Sequence, residues 1–552
     1  MNPRVITRLS LPGIPGLLPS VAWAMAGTAS AIALLATSAW LITKSAQSPP
    51  ILYLTFAIVG VRAFALSRAA FRYLERISSH QAAFVALARL RVWIFDRLAP
   101  VAPAGLMGTR RGSLLSTVVS DIDTLQDFPL RVVIPVASSL VVSGVAVAAI
   151  GLVSPRAAVT LAVILIATLI IAAVISALVS RSSEHEVAPR RAEFTSAVLE
   201  NIQRRRVLEA FGAASHADAA LENAARACAR SEIRGALASG SSPGVVMLLT
   251  GVASVAMAIV TKDLVAQGDM TGPVFAVLVL VPLAIFEAVA VVPPAVTSWR
   301  LVAQSARRIA ATIPDSLPPE IPGEDGSGQD LAPLSPPARV SLTLKDFAVR
   351  WPGGSSLAHR PLSLSLKPGD RLAVSGSSGS GKTSFAHALV RFLEYQGSYE
   401  LNGVEVTTLP PSTVRSMVTL CEQSPHLFNT SIRHNLSFAR PEATTQDFLD
   451  VLERVGLTEW VHARGGIDAA VGERGVAVSG GQAQRIALAR ALLSQAPVIV
   501  FDEPTAHVER GLADSLIADL VSVGSQSRDR IVIIMSHTPV PDSLVTARLF
   551  FS

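Results

Sequence analysis

Six long apolar stretches constrain this chain more than any other feature of its sequence. They cover residues 21–43, 51–70, 131–153, 157–179, 245–260 and 272–292. A helix needs about 20 apolar residues to cross a bilayer, and each stretch has that length or nearly so. Of the 552 residues, 50% are hydrophobic and only 16% are charged, against about a quarter charged in a typical soluble domain. The first part of the chain is therefore predicted to be an α-helical membrane domain with six spans.

The arginines predict how these spans are oriented. The stretches after the second and fourth spans are long and rich in arginine, whereas the other connecting loops are short and carry little charge. Positive charge collects in cytoplasmic loops, so both long stretches and both chain termini are predicted to be cytoplasmic. Apolar residues recur at helical spacing in the long stretches, which predicts that they extend the spans as helices.

Net charge and cysteine content limit the classes of partner. The formal net charge is +6, but many arginines lie between the apolar stretches, so we expect no nucleic-acid partner. The two cysteines, Cys228 and Cys421, are far apart in the sequence. They form neither a disulfide framework nor a metal-ligand spacing, which fits a reducing compartment.

A change of composition marks the end of the membrane domain. Residues 313–337 are rich in Pro, Gly, Ser and Asp, which is typical of a linker. Beyond them, short β-rich runs alternate with helical runs, as in an α/β domain. The predicted organisation is a membrane domain over residues 1–312, a linker over 313–337 and a soluble domain over 338–552.

The soluble domain contains a phosphate-binding loop motif. Residues 376–383 match the pattern GxxxxGK[ST], follow an apolar run and precede a helical run, which is the context that this motif needs. Backbone N–H groups of such a loop surround phosphates, with Lys382 reaching the outer phosphates and the Thr383 hydroxyl binding Mg²⁺. The predicted nucleotide-binding residues are Gly376, Ser377, Ser378, Gly379, Ser380, Gly381, Lys382, Thr383 and Ser384.

A second motif supplies two carboxylates. The apolar run 498–501 is followed by Asp502 and Glu503, at the end of a predicted strand. Asp502 is suited to the Mg²⁺ shell, and Glu503 to polarising the water that attacks the γ-phosphate of a nucleotide.

A third motif indicates the family that the soluble domain resembles. Ser479, Gly480, Gly481 and Gln482 form an SGGQ loop in front of a helical run. With the two motifs above, this order resembles the ATP-binding cassette (ABC) family over the whole soluble domain. The resemblance implies that two cassettes pair head to tail, so that the SGGQ loop of one closes over the ATP of the other.

The resemblance also implies roles for residues outside these motifs. Gln423 occupies the position that senses Mg²⁺ and contacts the membrane domain, and His537 the position that contacts the γ-phosphate. Trp351 stands where the family has an adenine-stacking aromatic residue, usually Tyr. With Glu503, the implied catalytic residues are Gln423 and His537. One motif departs from the pattern: the loop Ala506-His507-Val508-Glu509 ends in Glu instead of Asp, which puts symmetric communication between paired cassettes in doubt.

Six spans followed by one cassette resemble half of an ABC exporter, which must pair with itself or with a partner. Residues 35–42 and 72–80 further resemble the CydC-type subunit of the bacterial CydDC exporters. That resemblance implies a place in the bacterial inner membrane, surrounded by lipid, and a CydD-type partner in a heterodimer. It also implies export of the thiols cysteine and glutathione, support of cytochrome bd assembly, and an association with haem b. Two alternatives stay open: a haem-loading assembly factor that moves no thiol, and a generic lipid or drug exporter.

Four charged or titratable positions in the membrane domain carry further hypotheses. The CydC resemblance implies that His80 ligates a haem iron, and Arg76, one helical turn earlier, is placed to pair with a haem propionate. The alternative is an interfacial histidine bonded to a neighbour or to a lipid headgroup.

Arg62 and Glu287 lie inside two spans, at similar depths counted from the outer ends. Charges in such positions are costly, so we expect the two residues to pair with each other or to line a cavity. A purely structural ion pair is the alternative.

Overall fold

The structure is a computed structural model. It describes residues 1–106, 117–182, 187–323, 339–354, 356–472, 478–504, 529–537 and 540–551. The chain divides into two units. The first contains Met1–Phe95 and Arg111–Pro314, and the second contains Asp96–Arg110 and Asp315–Ser552.

The first unit is helical. Its helices are α1 (Pro3–Leu9), α2 (Ile14–Ser45), α3 (Leu52–Leu98, whose last three residues belong to the second unit), α4 (Ile122–Leu125), α5 (Ile134–Val153), α6 (Pro155–Ser182), α7 (Ala188–Ala210), α8 (Ala214–Ala266), α9 (Gly272–Val289) and α10 (Val292–Thr312). Wider π-type turns at Thr117–Asp121 and Phe128–Val133 flank α4.

The six predicted spans are confirmed as helices. Among the described residues, six stretches are long and apolar enough to cross a membrane: Ile14–Ser45, Leu52–Val101, Val119–Val153, Pro155–Ile175, Gly240–Ala266 and Gly272–Thr312. Each overlaps one predicted span. Large apolar side chains such as Phe56 and Leu152 are about nine-tenths exposed, as expected of helices that present apolar surface to lipid.

The long arginine-rich stretches continue the spans as helices. Helix α3 is unbroken over 47 residues, and α8 joins the second long stretch to the fifth span over 53 residues. The predicted sixth span, 272–292, crosses a break that the sequence analysis did not place. Helix α9 ends at Val289 and α10 begins at Val292, and Pro293 lies in the first turn of α10, where a missing N–H costs nothing.

The second unit is built on two sheets. Its strands are β1 (Leu342–Val349), β2 (Leu362–Leu366), β3 (Arg371–Gly376), β4 (Tyr395–Leu401), β5 (Val404–Glu405), β6 (Val418–Cys421), β7 (Val498–Asp502), β8 (Ile531–Ser536) and β9 (Ala547–Phe551). Its helices are α11 (Lys382–Leu389), α12 (Pro411–Met417), α13 (Ile432–Ser437), α14 (Thr445–Arg454), α15 (Thr458–Ala463) and α16 (Gly480–Leu493).

The parallel sheet places the predicted motifs along one edge. Its strand order is β6-β7-β8-β3-β9, and every strand pair in it is parallel. The carboxyl ends of parallel strands share one edge, where α/β proteins bind ligands. Gln423 follows β6, Glu503 follows β7, His537 follows β8 and the phosphate loop follows β3. An antiparallel sheet of order β2-β1-β4-β5 completes the α/β unit.

One short segment groups differently from the predicted division at residue 312. Residues 96–110 belong to the second unit, although the sequence assigns them to the membrane domain. The reason is burial: Ala104 is 2% exposed and belongs to the same hydrophobic core as Leu342 and Phe347. A Cβ on Gly105 would lie 2.8 Å from Ile321, so this segment packs closely. Of the predicted linker 313–337, residues 324–337 lie outside the described residues.

Candidate functional site

The phosphate loop joins β3 to α11 through a backbone that requires glycine. Gly379 and Gly381 have φ angles of 84° and 95°, a left-handed region that only glycine adopts without strain. At Gly381, space forbids a side chain as well, because a Cβ there would lie 2.3 Å from the carbonyl oxygen of Ala358. The sequence motif therefore has a direct steric cause in the fold.

Lys382 is held inside this loop. Its side chain is buried, and Nζ donates hydrogen bonds to the carbonyl oxygens of Gly376 at 2.8 Å and Ser377 at 2.9 Å. Ser380 Oγ is also buried, and among the described residues it has no hydrogen-bond partner. Buried polar atoms normally have partners. A buried ammonium group and a free hydroxyl in one glycine-rich loop fit the binding of phosphate oxygens.

Thr383 and Asp502 come together as the sequence predicts for a Mg²⁺ site. Thr383 Oγ1 donates a hydrogen bond to Asp502 Oδ2 at 2.8 Å, although the two residues lie 119 positions apart. Burial raises the pKa of Asp502, and the Glu503 carboxylate adds to this, whereas the Thr383 hydroxyl and the charge of Lys382 oppose it. Hydroxyl and carboxylate oxygens are the ligands that Mg²⁺ prefers, so this pair fits the ion.

Glu503 lies beside two other predicted site residues, Gln423 and His537. Its Oε2 accepts a hydrogen bond from Gln423 Nε2 at 2.7 Å and lies 3.5 Å from His537 Nδ1. Its backbone has φ 49°, and its N–H donates to the carbonyl oxygen of Met535 at 2.9 Å. A left-handed backbone at a non-glycine residue is strained and is often found at functional sites. The arrangement gives one carboxylate two polar neighbours from adjacent strands.

The SGGQ loop caps its own helix. The Ser479 N–H donates to Gln482 Oε1 at 2.9 Å, and Ser479 Oγ accepts from the Gln482 N–H at 3.3 Å, which forms a capping box at the start of α16. Ser479 and Gly480 are exposed. The loop is therefore well ordered by its own side chains and open to a partner surface.

Trp351 is half-buried just after β1. Its ring centroid lies 5.9 Å from that of His387 on α11, and it packs against the core of the second unit. The sequence analysis did not single out His387, whose pKa burial lowers. The sequence signal that could have identified His387 is its position in the helical run that follows the phosphate loop, on the face that is expected to be buried.

The first unit contains two cavities that share one acidic residue. The larger has a volume of about 860 Å³ and is lined by Glu287, Arg131, Met247 and Phe286, among others. The smaller, of about 290 Å³, is lined by Glu287, Arg72, Glu75 and Trp23, among others. Arg131 and Arg72 therefore face the same cavities as Glu287.

The partner of Glu287 differs from the expected one. Arg68 Nη2 donates to Glu287 Oε1 at 3.1 Å, so the expected pairing with Arg62 is wrong. Arg68 and Glu287 lie at nearly the same distance from the N-terminal ends of α3 and α9. Arg62 lies more than one helical turn closer than Arg68 to the N-terminal end of α3. The sequence already contained the signal that identifies Arg68: counted from the starts of the predicted spans, at residues 51 and 272, Arg68 lies closer in depth to Glu287 than Arg62 does.

Comparisons with known proteins agree with this geometry. The family model described as ABC transporter transmembrane region matches residues 17–289, and the one described as ABC transporter matches residues 359–506. The glutathione/L-cysteine transport system ATP-binding/permease protein CydC of Escherichia coli is 30% identical over 92% of this chain and 87% of its own length. The chain belongs to the ABC exporter family.

Two further similarities characterise this exporter. The glutathione/L-cysteine transport system protein CydD of Bacillus subtilis is 30% identical over 87% of the chain and 82% of its own length. A solved bacterial Atm1-family ABC exporter with ATP bound has a TM-score of 0.74, covering 95% of this chain and 91% of that one at 19% identity. This last similarity concerns the fold alone. The chain is therefore a multi-pass membrane protein that hydrolyses ATP to drive transport.

Two further predictions concern His80 with Arg76 and the loop 506–509. His80 is exposed on α3, with its ring centroid 5.8 Å from that of Phe84, and Arg76 is also exposed. Among the described residues, no group of three or more His, Cys, Asp and Glu side chains is placed to hold a metal ion. The loop 506–509, whose Glu departs from the family pattern, lies outside the described residues.

Proposed function

We propose that this exporter chain pairs with a CydD-type half-transporter in the bacterial inner membrane and exports thiols such as glutathione or cysteine. The observation that carries the proposal is the 30% identity to a glutathione/L-cysteine transport protein over 92% of the chain. The positive-inside distribution of arginines supports cytoplasmic termini. In this orientation ATP is consumed in the cytoplasm, and the thiol leaves toward the periplasm.

In this proposal the residues at the sheet edge bind ATP and its Mg²⁺ ion. Trp351 stacks on adenine, while Lys382 and the loop backbone hold the phosphates. Thr383 and Asp502, together with Gln423, would hold Mg²⁺, and the bound ion would neutralise phosphate charge. The 2.8 Å contact between Thr383 and Asp502 supports this role.

Glu503 is the proposed general base. It accepts a proton from water while the water oxygen bonds to the γ-phosphorus, and the bond from that phosphorus to the bridging oxygen of ADP breaks. The 2.7 Å hydrogen bond from Gln423 and the position of His537 support this role, because both orient the carboxylate. In this proposal His537 contacts the γ-phosphate.

The SGGQ loop serves the second cassette in this proposal. Ser479, Gly480, Gly481 and Gln482 close over the ATP that is bound by the partner. The exposure of Ser479 and Gly480 at the start of a capped helix supports this role.

The test is transport by the reconstituted pair. The chain and its CydD-type partner are placed in proteoliposomes with the cassettes outside, and uptake of labelled glutathione and cysteine is measured with and without ATP. We expect ATP-dependent uptake that disappears with Glu503→Gln. A complex that hydrolyses ATP but accumulates no thiol contradicts the proposed substrate.

Haem handling is a second candidate function, favoured by the accessible imidazole of His80 one turn from the guanidinium of Arg76. An exposed imidazole could ligate the iron of haem b, and a neighbouring arginine could pair with a propionate. Bound haem would supply a redox-active iron at this helix. A Soret band in the purified complex that His80→Ala removes, with ATP hydrolysis retained, supports this function. An identical spectrum in His80→Ala contradicts it.

A further inference from the structure

We propose that Arg68 and Glu287 form a charge-reading pair in the transport cavity. The two residues give up the ion pair between them and each binds one of the two opposite charges of a zwitterionic substrate. The inference rests on the proposed export function and specifies how the cavity selects its cargo. Glu287 would bind the substrate's ammonium group, and Arg68 its carboxylate.

The first observation is the isolation of Glu287 on its helix. Helix α9 has the sequence GPVFAVLVLVPLAIFEAV, in which Glu287 is the one charged residue. Its neighbours Leu278, Ile285 and Phe286 are buried in the apolar core of the first unit. A carboxylate on such a helix is costly, so a residue of this kind normally has a function.

The second observation is the position of the pair at the cavities. Glu287 lines both the cavity of about 860 Å³ and the cavity of about 290 Å³. Its side chain is 65% exposed while it is bonded to Arg68 at 3.1 Å, and that of Arg68 is 35% exposed. An ion pair that only joined two helices would be expected to lie between them. This pair is instead partly exposed, and its Glu287 end is open to both cavities.

Charge balance then determines which molecules replace the pair. A ligand that takes one partner removes the direct 3.1 Å ion pair of the other. An anion on Arg68 takes that partner from Glu287, and a cation on Glu287 takes that partner from Arg68. A zwitterion supplies both charges, so both residues stay paired. Amino acids and small peptides with free ends meet this requirement.

The cavity also suits the remainder of such a molecule. Its volume of about 860 Å³ lies within the range of about 300–1,000 Å³ typical of small-molecule sites. Apolar side chains of Val246, Met247 and Leu283 form much of its lining, with Arg131 as a further cation. A short side chain such as the –CH₂SH group of cysteine can contact the apolar wall while the charged end of the molecule reaches the pair.

The experiment compares three probes that share a side chain and differ in charge. They are L-cysteine, N-acetyl-L-cysteine and cysteamine, which are a zwitterion, an anion and a cation near neutral pH. Uptake and stimulation of ATP hydrolysis are measured with the full complex in reducing buffer. The variants are Glu287→Gln, Arg68→Gln and the exchanged pair Arg68→Glu with Glu287→Arg. Arg62→Gln is the matched control, since it removes an arginine from the same helix but not from this pair.

The expected result is a change of charge preference. The wild-type complex prefers cysteine, and each single variant lowers its apparent affinity for cysteine about tenfold to a hundredfold. Glu287→Gln improves the anion relative to cysteine, Arg68→Gln improves the cation, and the exchanged pair regains much of the affinity for cysteine. Arg62→Gln keeps the wild-type preference.

Other outcomes separate this inference from the proposed function. If thiols are transported but every variant changes all three probes by the same factor, the charge-reading role is overturned and thiol export stands. If the wild type moves no thiol, alanine, N-acetylalanine and alanine methyl ester are tested in the same way. A preference for alanine that depends on the pair then refutes thiol export alone. No response to either zwitterion overturns both.

Discussion

The geometry around Glu503 depends on one strained residue. In an extended strand, Asp502 and Glu503 would point to opposite faces. The left-handed backbone at Glu503, with φ 49°, breaks this alternation. Asp502 contacts Thr383 while Glu503 contacts Gln423, so neighbouring carboxylates acquire separate roles. Such strain costs about 1–3 kcal/mol and persists only where the surrounding structure holds it.

Replacing Glu503 by Gln is expected to stop turnover without removing ATP. The amide oxygen still accepts the hydrogen bond from Gln423 but takes no proton from water, so ATP hydrolysis should fall about 10²–10⁴-fold. Rates and ATP affinity are measured on the complex. Glu453→Gln, on the exposed side of α14, is the control and keeps the wild-type rate. Wild-type turnover in Glu503→Gln refutes the proposed base.

Gly381→Ala tests the steric origin of the phosphate loop. The new Cβ would lie 2.3 Å from the Ala358 carbonyl oxygen, so the loop must move and ATP affinity should fall at least tenfold. Gly403→Ala is the matched control, because Gly403 also has a left-handed backbone but open space around it. It should cost about 1 kcal/mol of stability and leave ATP affinity unchanged. Equal ATP affinities in the two variants contradict the steric argument.

Among the elements, α11 links the phosphate loop to the core. Its first turn carries Lys382 and Thr383, and its buried face carries His387, which is 2% exposed. The ring of His387 contacts Trp351 and Phe392, and its Nδ1 has no hydrogen-bond partner among the described residues. Burial lowers the pKa of this imidazole, because the folded unit disfavours its charged form.

This buried histidine predicts a loss of stability in mild acid. Above pH about 6.5, the imidazole is neutral in both the folded and the unfolded state. As pH falls below that value, the unfolded chain binds a proton that folded His387 does not, so the free energy of unfolding decreases. Thermal midpoints at pH 7.5 and 5.5 measure the effect.

His387→Leu should reduce the drop in thermal midpoint between the two pH values, because the buried imidazole is gone. The exposed His462 on α15 is the control position, and His462→Asn should keep the wild-type drop. His359 is also buried with a lowered pKa, so a smaller dependence remains in His387→Leu. An undiminished drop in that variant rejects the role of His387.

At the scale of the whole molecule, one chain supplies one phosphate loop and one SGGQ loop. Within the chain, Thr383 of the phosphate loop contacts Asp502, and Gln423 contacts Glu503, whereas the SGGQ loop is exposed at the start of α16. This asymmetry supports a second cassette as the partner of the SGGQ loop.

The chain alone is therefore expected to bind ATP but to hydrolyse it at least tenfold more slowly than the pair. ATP hydrolysis is measured at constant chain concentration while the CydD-type partner is added, and it should level off at a one-to-one ratio. The partner carrying the equivalent of Glu503→Gln controls for its own activity. A chain that reaches the full rate alone contradicts the heterodimer.

Local sequence determined the parts of this protein whose physics is local. Apolar length is set by bilayer thickness, so six spans were predictable from hydropathy. The phosphate loop was predictable because Gly379, Gly381 and Lys382 must occur at fixed spacing for the backbone to close around phosphates. The run before Asp502 likewise predicted β7.

Only the tertiary structure decided which distant residues meet. Thr383 contacts Asp502 because β3 and β7 both flank β8, an order that no local pattern contains. Glu287 pairs with Arg68 and not with Arg62, because the folded helices bring Arg68 within 3.1 Å of it. Residues 96–110 belong to the second unit because Ala104 is buried in its core, and no pattern in the sequence of this segment predicts that packing. Hydropathy acts along the chain, whereas pairing and burial depend on where the folded elements lie.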